Sequence, residues 1–202
     1  MKLLIIRHGE SEADILRVHE GRADFNLTER GHKQAEAMAN YVAENFEINK
    51  IYSSTLKRAA QTAAHLSQRI SLDICFEEDL MEWNNGLIAG LSFEEADKLY
   101  PRIRNLPIDE SVYGQESKVA FRERANKILN KIINENDSES TIAIVTHGQM
   151  INQLYGSLFN IPIDADDKNI FATSDTGIHI WKITENRNYV IKANIDNHIN
   201  EI

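Results

Sequence analysis

With 202 residues, 42% of them hydrophobic and 26% charged, the chain has the composition of one folded globular unit with a sizeable core, which excludes a disordered or fibrous polymer. A formal net charge of −9 excludes the broad positive surface needed to bind nucleic acid non-specifically or to dock on anionic membranes, yet leaves room for a small anionic ligand held by a few gathered cations. Cys75 is the only cysteine, so an intramolecular disulfide and a cysteine-based zinc site are both excluded and a reducing cytoplasm is the expected compartment.

The apolar run Leu3 to Ile6 reads as a strand buried on both faces, too short and too soon interrupted for a signal peptide. It ends in Arg7, His8 and Gly9, and the polar stretch that follows, HGESEADILRVHEGRADFN, reads as a functional loop. Thr28 suits the N-cap of a helix reaching about Phe46, with Ala35, Met38, Ala39, Val42 and Phe46 at core-facing spacing. Lys50 to Ser53 forms a second strand, and the turn Ser53-Ser54-Thr55 leads into the helix LKRAAQTAAHLSQRI. A third strand is expected over Leu72 to Phe76, followed by irregular chain at 79–91. Ser92-Phe93-Glu94-Glu95 is a capping box for a short helix that stops before Pro101. The longest helix is expected from about Glu116 to Asn136, on the apolar stripe Val119, Ala125, Ile128, Leu129, Ile132 and Ile133. Thr141 to Thr146 is a fourth strand, Gly148 to Phe159 a helix, and Ile178 to Ile183 with Tyr189 to Ile195 a closing strand pair.

Strands alternating with helices imply an α/β fold, a three-layer α/β/α sandwich with a mostly parallel central sheet. With no linker, no low-complexity tract and no repeat beyond the two strands that end in histidine, residues 1–202 read as one domain. Ligands of such sheets bind beyond the carboxyl ends of the strands. Three strands here end in Arg7 and His8, in the turn toward Arg58, and in His147, so two arginines and two histidines are expected to converge at one rim. Gly9 and Gly148 let the chain turn and expose amides there. Guanidinium groups match phosphate oxygens bidentately, and a neutral imidazole beside them is a nucleophile for phosphorus. The leaving oxygen then needs an acid; Glu82 is the best-placed carboxyl, kept protonated by burial, although spacing alone does not place it.

Those residues carry a resemblance. Arg7-His8-Gly9-Glu10-Ser11, the block GRADFNLTERGHKQA from Gly21, YSSTLKRAAQTA from Tyr52, Leu80-Met81-Glu82 with Gly86 and Gly90, and VTHGQ from Val145 follow in order the motifs of the histidine phosphatase superfamily, which includes the cofactor-dependent phosphoglycerate mutases. The resemblance spans nearly the whole chain and implies a phosphoglycerate mutase-like fold and a histidine acid phosphatase-type phosphomonoesterase. It implies His8 as the phosphorylated nucleophile, Arg7, Arg58 and His147 on the phosphoryl oxygens, and Glu82 as general acid. Ser11, Asp14, Gly21, Arg22 and Gly148 would join the substrate-binding set, with Ser11 reading equally as a helix or turn cap and Arg22 equally as a solvated loop arginine. No metal and no organic cofactor is implied; the partners are a small phosphorylated substrate and product inorganic phosphate, with a homodimer left open.

The chain departs from the family's pattern in places. Asp14 stands where many members carry an asparagine that donates to the phosphate, and Ile88-Ala89 replace a tryptophan and an acid. Gly114-Gln115-Glu116-Ser117 resembles a Gly-Glu-Ser motif with an insertion, so no role is assigned to it. Trp83-Asn84-Asn85-Gly86 stands where mutases carry Arg-His-Tyr-Gly, which favours hydrolysis over isomerisation. The alternatives are a mutase primed by bisphosphoglycerate and, on account of Asp14, a weakly active module that binds a phosphorylated ligand. Blander assignments complete the reading. His19, His32, His65, His179 and His198 are structural, Asp24 fixes its own turn, and Arg122 and Arg124 lie on a solvated helix face.

Overall fold

The computed structural model describes residues 1–163, 171–200 and 202. Strands β1 (Lys2–Arg7), β2 (Lys50–Ser54), β3 (Ile74–Glu77), β4 (Thr141–Thr146), β5 (Ile178–Ile183) and β6 (Asn188–Ile195) form one sheet in the order β3-β2-β4-β1-β5-β6. The first four in that order are mutually parallel, whereas β5 and β6 close the far side antiparallel. The sheet is mostly parallel, as expected.

Alternation in the strands builds the two flanking layers. Leu3 and Ile5 of β1, with Ile142 and Ile144 of β4, face a core made with α5 (Lys118–Asn134) and α6 (Gly148–Leu158). Leu4 and Ile6, with Ala143 and Val145, face the opposite core, made with α2 (Glu29–Asn45) and α3 (Lys57–Ile70). Both faces of the central strands are covered, which is why these runs are continuously apolar instead of alternating with polar residues.

Local chemistry accounts for most boundaries. Thr28 caps α2 by accepting from the Gly31 N–H, and Ser92 with Glu95 forms the capping box that opens α4 (Phe93–Leu99). Three expectations shift. The loop after β1 is not all irregular: Ser11 and Asp14 form a capping box that starts α1 (Glu12–Leu16). β3 begins at Ile74, not Leu72, because Ser71 takes a left-handed φ of 56° at the end of α3 and the Leu72 N–H bonds back to the Ser67 carbonyl, so Leu72 belongs to the helix exit. The helix expected from Glu116 begins at Lys118 behind an Ser117 cap, and at 17 residues it equals α2 in length rather than exceeding it. Among the described residues, no helix is long and apolar enough to cross a membrane.

Ile144 sits fully buried on the central strand. Ile144→Ala is expected to lower unfolding free energy by about 3 kcal/mol in urea titration, with the slope against urea unchanged.

Candidate active site

Parallel pairing assembles the site. Arg7 and Thr146 are register partners at the carboxyl ends of β1 and β4, so the next residues, His8 and His147, emerge side by side. Their ring centroids lie 5.1 Å apart, and the side chains are almost wholly buried, at 1% and 0% exposure. From β2, the chain passes Ser54 into α3, whose second residue is Arg58. Arg58 has no solvent exposure. Its Nε donates to His8 Nε2 at 3.2 Å, while Nη1 and Nη2 donate to the carbonyls of Ala23 and Gly21 at 3.0 and 2.8 Å. The fourth group, Arg7, donates from Nη1 to the Thr173 carbonyl at 2.7 Å and pairs with Asp175 at 3.4 Å.

The hydrogen bonds assign the proton on His8. His8 Nδ1–H donates to the Gly9 carbonyl at 2.8 Å, which leaves the Nε2 lone pair facing the Arg58 N–H. The Ser54 hydroxyl accepts from the Leu56 N–H and lies 2.8 Å from His147 Nε2, a contact that either tautomer of His147 satisfies. His147 Nδ1 finds no partner among the described residues. One ring offers a lone pair and the other a ring nitrogen left open to a ligand. Burial, followed by the charges of Arg58 and Arg7, holds His8 well below the usual histidine range; burial and Arg58 do the same for His147. Both are neutral near pH 7.

Glu82 closes the rim from the loop after β3. Its carboxylate accepts from the backbone N–H groups of Trp83, Gln149 and Met150, so it stands at the N-terminal end of α6, the helix that follows His147. The expectation that burial surrounds it is only half met, since it is partly exposed. That loop is clamped by Arg124, which donates to the carbonyls of Asp79, Met81 and Glu82 and pairs with Glu116 at 2.5 Å. Arg124 therefore does not lie on a solvated face; its side chain is 11% exposed. Arg122 does not either, because it binds Gln153 and the Ile161 carbonyl. Glu116 acquires a structural role through Arg124 and by accepting from the Asn84 N–H.

The remaining expected residues divide. Gly21 lies at the cluster through its carbonyl on Arg58; its φ of +48° favours glycine, and a Cβ there would have to displace the Asn85 side chain. Arg22 leans toward the Glu82 loop, with Nε 3.5 Å from the Glu82 carbonyl. Ser11 caps α1, and Asp14 accepts from the Ser11 N–H at 2.8 Å, so its carboxylate serves the helix start. Gly9 answers a packing need more than a turn, because a Cβ there would meet the Gly31 carbonyl at 2.7 Å. Gly148 has open space where a Cβ would stand. Asp24 fixes the start of α3, not its own loop, by accepting from the Lys57 N–H at 2.7 Å. His32 and His65 pair with each other, and His179 and His198 meet Thr173 and Thr176.

Sequence reasoning missed Glu20. It lies 3.2 Å from Arg58 Nε and 3.7 Å from His8 Nε2, and it accepts from the Ser11 hydroxyl. A lone carboxylate in a polar loop has no periodicity to betray it; its adjacency to Gly21 is the one local signal. Arg124 had a faint signal, three residues after Phe121 and one before Ala125, at the flank of the buried stripe.

The family model for the histidine phosphatase superfamily (branch 1) matches residues 3–196. The chain belongs to the histidine phosphatase superfamily. Phosphoserine phosphatase 1 of Hydrogenobacter thermophilus is 27% identical over 205 residues, an alignment covering 100% of this chain and 95% of that protein. Phosphoglycerate mutase-like protein 4 of Arabidopsis thaliana is 31% identical over 160 residues, 76% of this chain and 69% of that one. The fold is likewise similar to that of the alpha-ribazole phosphatase from Shigella flexneri, with a TM-score of 0.84 over 97% of each chain at 20% identity. The enzymes of this superfamily are phosphatases and mutases that work through a phosphohistidine, and this member is a phosphatase.

Two outcomes follow from the geometry. His8, His65, His147, His179 (lowered to about 4) and His198 all have depressed values in the folded state, so below about pH 6.5 the unfolded chain binds more protons than the native one and stability falls as pH falls. Glu20 and Asp175, raised by burial, act in the opposite sense above the usual carboxylate range but are outnumbered. The urea midpoint is expected to drop between about pH 7 and pH 5, less steeply in His147→Gln; a flat profile would contradict neutral buried imidazoles. Arg124→Met, which strips the Glu82 loop of its clamp, is expected to cost about 2–3 kcal/mol and to lower kcat at temperatures where the variant stays folded.

Proposed function

We propose that the chain hydrolyses a small phosphorylated metabolite through phospho-His8. The observation that carries this assignment is the lone pair of His8 Nε2 held beside the Arg58 guanidinium, with the His147 ring centroid 5.1 Å from that of His8. His8 Nε2 attacks phosphorus, and the ester oxygen leaves. Arg7, Arg58 and His147 hold the three remaining oxygens, which carry the charge of a loose transition state. Glu82 gives a proton to the leaving oxygen, then takes one from the water that attacks phospho-His8, and inorganic phosphate departs. Its position at the N-terminal end of α6, the helix that follows His147, is what supports placing it near the leaving oxygen. No step calls for a metal or an organic cofactor.

Acid-phosphatase character belongs to the same proposal: the depressed histidines stay neutral on the acid side, so the nucleophile persists there. The cytoplasm suits a chain whose one cysteine is free. Residues 1–202 act as one domain in this reading, since a single sheet supplies every group, and a homodimer is compatible but not required. Phosphoserine and α-ribazole phosphate, named for two of the similar proteins, are the first substrates to assay.

His8→Ala is expected to reduce hydrolysis of an activated aryl phosphate by at least about 10⁴-fold while its circular dichroism matches the wild type, and rapid quench of the wild type is expected to reveal a phosphoryl adduct on His8 by peptide mass. Undiminished hydrolysis in that variant removes the proposal. A phosphoester panel run with and without bisphosphoglycerate separates the other readings. Isomerisation of phosphoglycerate faster than phosphate release indicates a mutase, and tight ester binding with negligible turnover indicates a binding module.

A further inference from the structure

We propose that Glu20 is a built-in anion: in the ligand-free protein its carboxylate occupies the oxyanion site, and an incoming dianion binds only when Glu20 is protonated or displaced. The inference rests on the reading of the histidine–arginine cluster as the phosphoryl site. Glu20 Oε1 accepts from the Ser11 hydroxyl and lies 3.2 Å from Arg58 Nε, while Oε2 lies 3.7 Å from His8 Nε2. Arg58 Nε is one of the donors assigned to a phosphoryl oxygen, and His8 Nε2 is the nitrogen assigned to attack. A carboxylate and a face of a phosphoryl group make the same demands, two oxygens and negative charge against a guanidinium edge. Arg58 Nη1 and Nη2 each give an N–H to the Ala23 and Gly21 carbonyls, while the single Nε–H faces both His8 Nε2 and Glu20, so a ligand approaching His8 meets Glu20 at that edge.

Charge makes the competition sharper. The groups facing Glu20 are Arg7 and His8 from the end of β1, Ser11 and Asp14 from α1, and Arg58 from α3. His8 is neutral, and Arg7 is already paired with Asp175. Ser11 has one hydroxyl proton for two carboxylates, because its Oγ also lies 3.1 Å from Asp14 Oδ2. Counting Arg7 and Arg58 against Asp14, Glu20 and Asp175, the fixed charges already sum to less than zero before any dianion arrives. Removing one carboxylate charge is the cheapest way to admit it. Burial raises the Glu20 pKa against the lowering pull of Arg58 and Ser11, and Asp14 adds to the rise.

Sulfate is the probe, since it stays a dianion from about pH 5 to pH 9 and any change in its affinity is the protein's. Calorimetry is run on the wild type, on Glu20→Gln, which keeps the shape, and on Glu20→Ala, which removes the side chain without supplying an amide. At about pH 8 both variants are expected to bind sulfate at least about tenfold more tightly than the wild type, and the gap is expected to narrow as pH is lowered. Affinities that coincide at every pH, or that are weaker in both variants at pH 8, overturn the proposal. Aryl phosphate hydrolysis measured on the same samples keeps the two readings apart. Normal turnover with a flat sulfate comparison fails the Glu20 gate alone; no turnover with the stated sulfate pattern fails the hydrolase and supports the gate.

Discussion

A guanidinium wholly removed from water must be surrounded by acceptors, and that requirement at Arg58 organises the site. Burial disfavours its charge, and the Glu20 carboxylate opposes that effect. Nη1 and Nη2 each give an N–H to the carbonyls of Ala23 and Gly21, and Nε gives its own to His8 Nε2. A single side chain on α3 therefore fixes the path of the loop after β1, orients a histidine at the end of β1, and holds a carboxylate beside it. Gly21 is part of the same constraint, because its left-handed backbone is what delivers its carbonyl to Arg58.

Arg124 repeats the device on the other face of the sheet. From α5 it reaches three carbonyls of the loop after β3 and the Glu116 side chain, which in turn fixes the Asn84 N–H. Glu82 is thereby held against the first amides of α6. Two partly or wholly buried arginines, one per layer, thus pin the two loops that bring His8 and Glu82 to the same rim. Preorganisation of this kind spares reorganisation during the reaction, which is where electrostatic catalysis has its advantage.

The acidic side of the balance distinguishes this molecule. Asp14, read from sequence as a carboxylate opposed to a phosphate, is bound to Ser11 at the start of α1, and the carboxylate that lies against His8 and Arg58 is Glu20. With Asp175 on Arg7, the cations are partnered internally. A site with its own counter-charges keeps buried arginines tolerable without ligand, at the expense of affinity for one.

Much of the architecture was legible in the amino acids alone. Leu3–Ile6 and Ile142–Val145 are continuously apolar because both faces of a central parallel strand are covered; Thr28, Ser92 and Glu95 mark helix starts because capping is satisfied within four residues. The ordered histidine and arginine motifs were legible for the same reason that strands are, as residue types at fixed positions along the chain. The tertiary structure alone decided which side chains meet: Arg58 with Gly21 and Glu20, Arg124 with the Glu82 loop, His147 with Ser54, Asp24 with the start of α3. Those partners are separated by tens of residues, and their meeting depends on strand order and register, which no local pattern encodes. Burial periodicity and capping are short-range physics that can be read along a line, whereas the pairing of a buried charge is settled by whatever the fold brings within hydrogen-bond reach.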